Sequence, residues 1–218
     1  MDVLAHCRVY PLSNFYRAAP QSLTLPRSIG SHCVSFIHLI EHNFKFTPLK
    51  RQIWEQCIKC SVNDGSSVLV IDIVSEWREV IQESSQGVHY MNSASICNME
   101  GLQNFLMQLQ ASPVEALQRC LFRDRLNKQI SGIIIDNLSY LAHDLSSYSV
   151  LIKILKQLRQ TYGCWILTIG YGLEYYDGIE NSTSTPNRTG ALTKLPTSYT
   201  NEMDLIILRE TSDQARIV

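Results

Sequence analysis

No G-x-x-x-x-G-K-[ST] stretch occurs anywhere in the 218 residues. The chain therefore lacks the loop whose backbone N–H groups wrap a nucleotide's phosphates, together with the Lys and Ser/Thr that reach the β/γ-phosphates and Mg²⁺. Where an early apolar strand, residues 34–40, would run into such a loop, the chain reads Glu41-His42-Asn43-Phe44-Lys45-Phe46-Thr47-Pro48, with no glycine and two bulky aromatics. Phosphoryl transfer relies on positioning and charge neutralisation, so this absence counts against nucleotide turnover. No G-x-S-x-G elbow is present to expose a nucleophile, which leaves a hydrolase unsupported. No apolar run approaches the ~18–20 residues of a membrane span, and the first residues lack a basic stretch followed by an apolar one, so an intracellular protein that does not engage a membrane is expected. An excess of one charge sign is missing as well: the formal net charge is −1, and any attraction to nucleic acid must come from a local cluster or a partner.

The chain has 45% apolar residues, enough for one sizeable α/β domain and rather little for two. Its seven cysteines are odd in number and scattered, which suits a reducing compartment better than a disulfide framework. The N-x-[ST] sequons at Asn137, Asn181 and Asn187 have no glycosylation meaning without secretion.

Short runs rich in β-branched and aromatic residues at 34–40, 68–74, 88–91, 133–136, 164–169 and 205–208 predict strands. Several are apolar on both faces, as a buried parallel sheet requires. Helical patterns alternate with them. Thr47 as N-cap and Pro48 at the first helical position open a helix to about residue 60. Leu102, Phe105, Leu106 and Leu109 stripe a helix over 99–110. Ser112-Pro113-Val114-Glu115 predicts another running toward residue 126. Leu151, Leu155, Leu158 and Tyr162 mark a last one, ended by Gly163. This alternation predicts a mostly parallel sheet flanked by helices on both faces. Residues 1–30 read as a turn-rich arm and 31–218 as the core. The longest stretch without periodicity, at about 172–200, is of the length usually found in functional or disordered loops.

Gly132-Ile133-Ile134-Ile135-Asp136-Asn137 looks like the Mg²⁺-side strand of a P-loop NTPase without its other half. Asp136 ends that strand, where open α/β sheets place ligand groups. With no phosphate loop it reads as a relic or a structural acid. Cys57-Ile58-Lys59-Cys60 and the His38/His42 pair have zinc-like residue types, but they fall on a predicted helix and a predicted strand end, so no metal site is expected. No cofactor and no catalytic residue are expected either. Basic residues gather in three places: Lys50, Arg51 and Lys59; Arg119, Arg123, Arg125 and Lys128; and Lys153, Lys156 and Arg159. The last group reads as a solvated helix face. Arg188 and Lys194 stand apart in the long loop, with no acid between Glu180 and Glu202, and are the candidate DNA-binding residues: a loop with a small cationic excess can lie along a phosphate backbone.

A set of blocks runs in order through nearly the whole chain. They are Tyr10-Pro11-Leu12-Ser13-Asn14-Phe15; Ile71-Asp72-Ile73-Val74-Ser75 with Trp77; Tyr90-Met91-Asn92-Ser93; Ile135-Asp136-Asn137-Leu138-Ser139; Gly163-Cys164-Trp165-Ile166; Gly178-Ile179-Glu180-Asn181; and Thr193-Lys194-Leu195-Pro196 with Ser198-Tyr199 and Met203-Asp204-Leu205-Ile206-Ile207. Together they closely resemble the platinum-sensitivity subunits of the fungal Shu complex. The resemblance implies a RecA-like core of the recombinase-paralogue kind, without ATPase activity, in the nucleus. It implies a heterodimer with a Csm-type paralogous subunit, contact with the other Shu subunits, and binding of forked or single-stranded-tailed DNA. It also implies a role in assembling the recombinase filament during homologous recombination and error-free damage tolerance. The family's DNA-contacting loop falls here within 178–196. Relatives carry a dense basic cluster there, whereas this chain keeps chiefly Arg188 and Lys194, so more of the cationic surface would come from the partner. Two rival readings stand beside this one: a scaffold subunit that never touches DNA, and a nucleotide-dependent ATPase with an atypical site using Lys45.

Overall fold

The computed structural model describes residues 18–26, 29–30, 32–42, 46–83, 86–92, 94, 96–123, 128–141, 145–172, 193, 195–209 and 215–218. Strands β1 (Leu23–Thr24) and β2 (Cys33–Val34) form a small antiparallel pair. The main sheet contains β3 (Phe36–Glu41), β4 (Ser67–Asp72), β5 (Val88–Asn92), β6 (Ile130–Asp136), β7 (Trp165–Tyr171), β8 (Leu205–Arg209) and β9 (Ala215–Ile217). Its order is β5-β4-β6-β7-β3-β8-β9, and every neighbouring pair is parallel except β8 with β9. Helices α1 (Pro48–Asn63), α2 (Arg78–Glu83), α3 (Met99–Ala111), α4 (Pro113–Gln118), α5 (Leu145–Tyr162) and α6 (Thr197–Thr200) connect the strands, with a 3₁₀ turn at Leu138–Tyr140. This is the mostly parallel, helix-flanked α/β sheet expected from the sequence and consistent with a RecA-like core.

Alternation along the strands explains why they read as continuous apolar runs. Leu69, Ile71, Ile133 and Ile135 face one core with Leu102, Phe105 and Leu106 of α3 and Leu151, Leu155 and Leu158 of α5. Val68, Val70, Ile134 and Leu167 face the other with Ile53 and Trp54 of α1 and Ile81 of α2. The central strands β4, β6 and β7 are thus covered on both faces, and no polar alternation survives in them.

Several expected boundaries move, and for two of them the structure shows the cause. The strand expected over 68–74 stops at Asp72, where the side chain turns the chain. The helix expected from Ser112 toward residue 126 stops at Gln118. Beyond it the backbone of Phe122 pairs with Tyr90: Tyr90 N–H donates to Phe122 O at 2.8 Å, and Leu121 N–H donates to Tyr90 O at 2.8 Å. Satisfying the open edge of β5 outweighs continuing the helix, because unpaired edge groups are a liability.

Candidate functional site: a closed acid and lysine cluster at the strand ends

Open α/β sheets present ligand groups at the carboxyl ends of their strands, and here three of those ends carry acids. Glu41 closes β3, Asp72 closes β4 and Asp136 closes β6. Asp72 and Asp136 are register partners, and β7 separates Asp136 from Glu41. All three carboxylates are buried.

Their charge is answered from within. Thr47 precedes α1 and accepts a bond from Lys50 N–H at 3.2 Å, the N-cap geometry foreseen from Thr-Pro. The cap sets the first turn of α1 so that the Lys50 side chain enters the cluster. Its Nζ lies 2.6 Å from Asp136 Oδ2 and 2.8 Å from Glu41 Oε2. The Trp77 indole N–H donates to the same Asp136 Oδ2 at 2.8 Å. Thr47 Oγ1 donates to Glu41 Oε1 at 2.9 Å, and Arg209 Nη1 at the end of β8 stands 3.5 Å from that oxygen. Phe46 and Trp54 pack edge-on against Trp77, with ring centroids 4.9 and 5.8 Å away.

Burial alone would lower the Lys50 pKa, but Asp136 and Glu41 outweigh it and hold the ammonium charged above the ordinary lysine range. Burial pushes Glu41 upward, a rise that Lys50 opposes. Asp72 is pushed up to about 6 by burial, against the opposing hydrogen bonds from Trp77 N–H and Tyr90 OH. Those bonds are 2.9 Å each and, with Glu76 N–H at 3.2 Å, make Asp72 the cap of the turn leading to α2.

Chemically the cluster is closed. An acid at the end of β6 could hold a hydrated divalent cation only if its oxygens were available, yet Asp136 Oδ2 is shared by an ammonium and an indole. Asp136 Oδ1 is buried without a hydrogen-bond partner among the described residues. The ammonium offsets the charge of Asp136 and Glu41 from inside the protein, and Trp77 with Phe46 packs beside it. Lys50 and Trp77 thus occupy the Asp136 oxygen that a bound cation would otherwise take.

Asp136 was legible in the sequence as a structural acid, but its partners were not. Lys50 looked like one of three basic residues on α1; the structure buries it, while Arg51 is exposed over the Phe46 ring. The available signal was position: Lys50 is the third residue after a Thr-Pro helix start facing an acid-ending strand. Lys45, Arg188 and Lys194 lie outside the described residues. The described ends of the long loop are held together, since Gly172 bridges Thr193 and Thr193 Oγ1 donates to Tyr171 O at 2.9 Å. On α5, Lys156 pairs with Glu202 and Arg159 with Asp204 at 3.3 Å, so these two cations of the helix face are already engaged. Cys57 is buried on α1, which also carries Cys60; His38 is buried on β3, where it bonds Thr168 Oγ1 at 2.9 Å and burial lowers its pKa to about 3.

Residues 7–212 match the protein-family model described as Shu complex component Psy3, DNA-binding description. The chain is 39% identical to Platinum sensitivity protein 3 of Saccharomyces cerevisiae over 236 aligned positions, covering 98% of this chain and 95% of the relative. Among solved structures, the cytoplasmic domain of EssC aligns with 91% of this chain and 38% of its own, at 13% identity and a TM-score of 0.42.

Proposed function

Because the chain belongs to the Psy3 family of Shu complex components, we propose that it works as a non-catalytic DNA-binding adaptor in the nucleus, paired with a Csm-type paralogous subunit. In this reading the pair binds forked or single-stranded-tailed DNA and helps assemble the recombinase filament in homologous recombination and error-free damage tolerance. Residues 1–30 serve as an arm and 31–218 as the core.

The observation that carries the non-catalytic reading is the Lys50 ammonium on Asp136. A protein that supplies its own cation where a metal-bound nucleotide would sit has a use for the fold's surfaces without its chemistry. DNA contact is assigned to Arg188 and Lys194 in the loop at about 172–200, whose described ends meet at the carboxyl end of β7. Both Lys156 and Arg159 are paired with acids, which favours the loop over that helix face.

The test is fluorescence anisotropy of labelled forked and single-stranded-tailed DNA with the chain co-purified with its Csm-type partner, at several salt concentrations and with or without Mg-ATP. Arg188→Ala/Lys194→Ala is expected to weaken binding and reduce the salt slope by up to about two phosphate contacts, with the heterodimer intact and no effect of ATP. Unchanged affinity and slope would move the DNA surface to the partner and leave this chain a scaffold.

A further inference from the structure

Tyr140 is the one aromatic among the large apolar side chains that the described residues expose, with 43% of its surface accessible. Its neighbours explain why the ring is not filling the core. Leu138 and Leu141 on either side are buried at 0% and 4% and take the inward positions of the turn. Tyr140 is therefore displayed by the turn.

The display is rigidly held. Asn137 Oδ1 accepts from Ser139 N–H at 2.9 Å and caps the 3₁₀ turn. Ser139 Oγ accepts from Tyr171 N–H at 2.8 Å, joining the turn to the last residue of β7. The Tyr140 ring meets the Tyr171 ring edge-on, with centroids 5.8 Å apart and an interplanar angle of 77°. The next residue, Gly172, forms the bridge to Thr193 that closes the base of the long loop. An exposed aromatic thus stands one strand-end away from the Gly172–Thr193 bridge, and Lys194 directly follows Thr193 in the chain.

We propose that Tyr140 is a stacking platform for an unpaired base of single-stranded DNA that passes the Gly172–Thr193 bridge. The proposal deepens the DNA-binding reading above and rests on it. Every base has a π-face, so an aromatic platform adds affinity without sequence preference, and only a strand with unstacked bases can use it. Stacking is not ionic, so it adds affinity without adding to the salt dependence.

The experiment compares wild type, Tyr140→Ala, Tyr140→Phe and Arg188→Ala/Lys194→Ala, each co-purified with the Csm-type partner. Anisotropy is read on labelled oligo(dT) and on a duplex of the same length across a salt series. Tyr140→Ala is expected to weaken oligo(dT) binding about five- to a hundredfold, with an unchanged salt slope, little effect on the duplex and near-wild-type binding for Tyr140→Phe. If Tyr140→Ala binds oligo(dT) like wild type while the loop variant is weakened, the platform is refuted and the DNA-binding reading stands. If neither variant changes binding, that reading fails and the platform falls with it. Loss of the heterodimer in Tyr140→Ala, or equal weakening on both DNAs, assigns Tyr140 to a protein interface or to packing and overturns the proposal.

Discussion

The Lys50 ammonium sits 2.6 Å from Oδ2 of Asp136, and neither side chain is more than 2% exposed. Two opposite charges in a dry setting have each lost their hydration, so removing one strands the other. Lys50→Met is expected to cost about 3–5 kcal/mol, the usual toll of breaking a buried pair. Lys50→Met/Asp136→Asn is expected to recover part of it, because the Asp136 charge is then gone and Trp77 still has an oxygen to bond, while Glu41 loses Lys50 in both variants and keeps Arg209 at 3.5 Å. Urea unfolding of the single and double variants measures this coupling. Equal losses in the two would show that Lys50 matters through packing alone.

The same pair makes a prediction about ligands. A nucleotide bound only by the folded state would stabilise it by about 2.7 kcal/mol at a hundredfold excess over its dissociation constant. With Lys50 and Trp77 both on Asp136, millimolar Mg-ATP is expected to leave the unfolding midpoint where it was. A midpoint that climbs with Mg-ATP concentration would show that the cluster opens for a nucleotide after all.

What could be read in advance divides along physical lines. Strand positions, the α1 start at Thr47-Pro48 and the α3 and α5 stripes are local properties of a few neighbouring residues, and the structure has them. Asp136 could be seen ending an apolar strand. Lys50 and Trp77 could not be attached to it, since those contacts span 86 residues for Lys50 and 59 for Trp77. A lysine beside an exposed arginine on a helix carries no mark of burial. The early stop of α4 was hidden for a similar reason: the competing partner of residues 121 and 122 is the edge of β5 at Tyr90, some thirty residues earlier in the chain.

Asp72 gives the stability curve a definite slope. Its carboxyl is raised from an ordinary 3.8 to about 6 by burial. Between about pH 4 and 6 the unfolded chain has released this proton while the folded chain keeps it, so raising the pH across that window lowers stability. The displacement is worth about 3 kcal/mol. Asp72→Asn is expected to flatten the pH dependence over that window while retaining an acceptor for the turn that contains Ser75 at φ 63°. Unfolding free energies of the two proteins at matched pH values test it. A wild-type curve that rises from pH 4 to 6 as steeply as that of the variant would remove Asp72 from the account.

Gly132 is required by a contact across the sheet. It pairs in register with Trp165 of β7, and a Cβ at this position would fall inside the indole ring, well below any permitted separation. Trp165 is itself 4% exposed and packed in the core on the α1 side, so the ring has little room to retreat. Gly132→Ala is expected to destabilise by about 1–3 kcal/mol through overpacking. Trp165→Leu alone is expected to cost about 2–4 kcal/mol by leaving a cavity. In the double variant the alanine methyl enters space the indole has vacated, so the combined loss should fall short of the sum by at least about 1 kcal/mol. Simple additivity in urea unfolding would mean that the glycine serves the backbone of β6 and not the ring beside it.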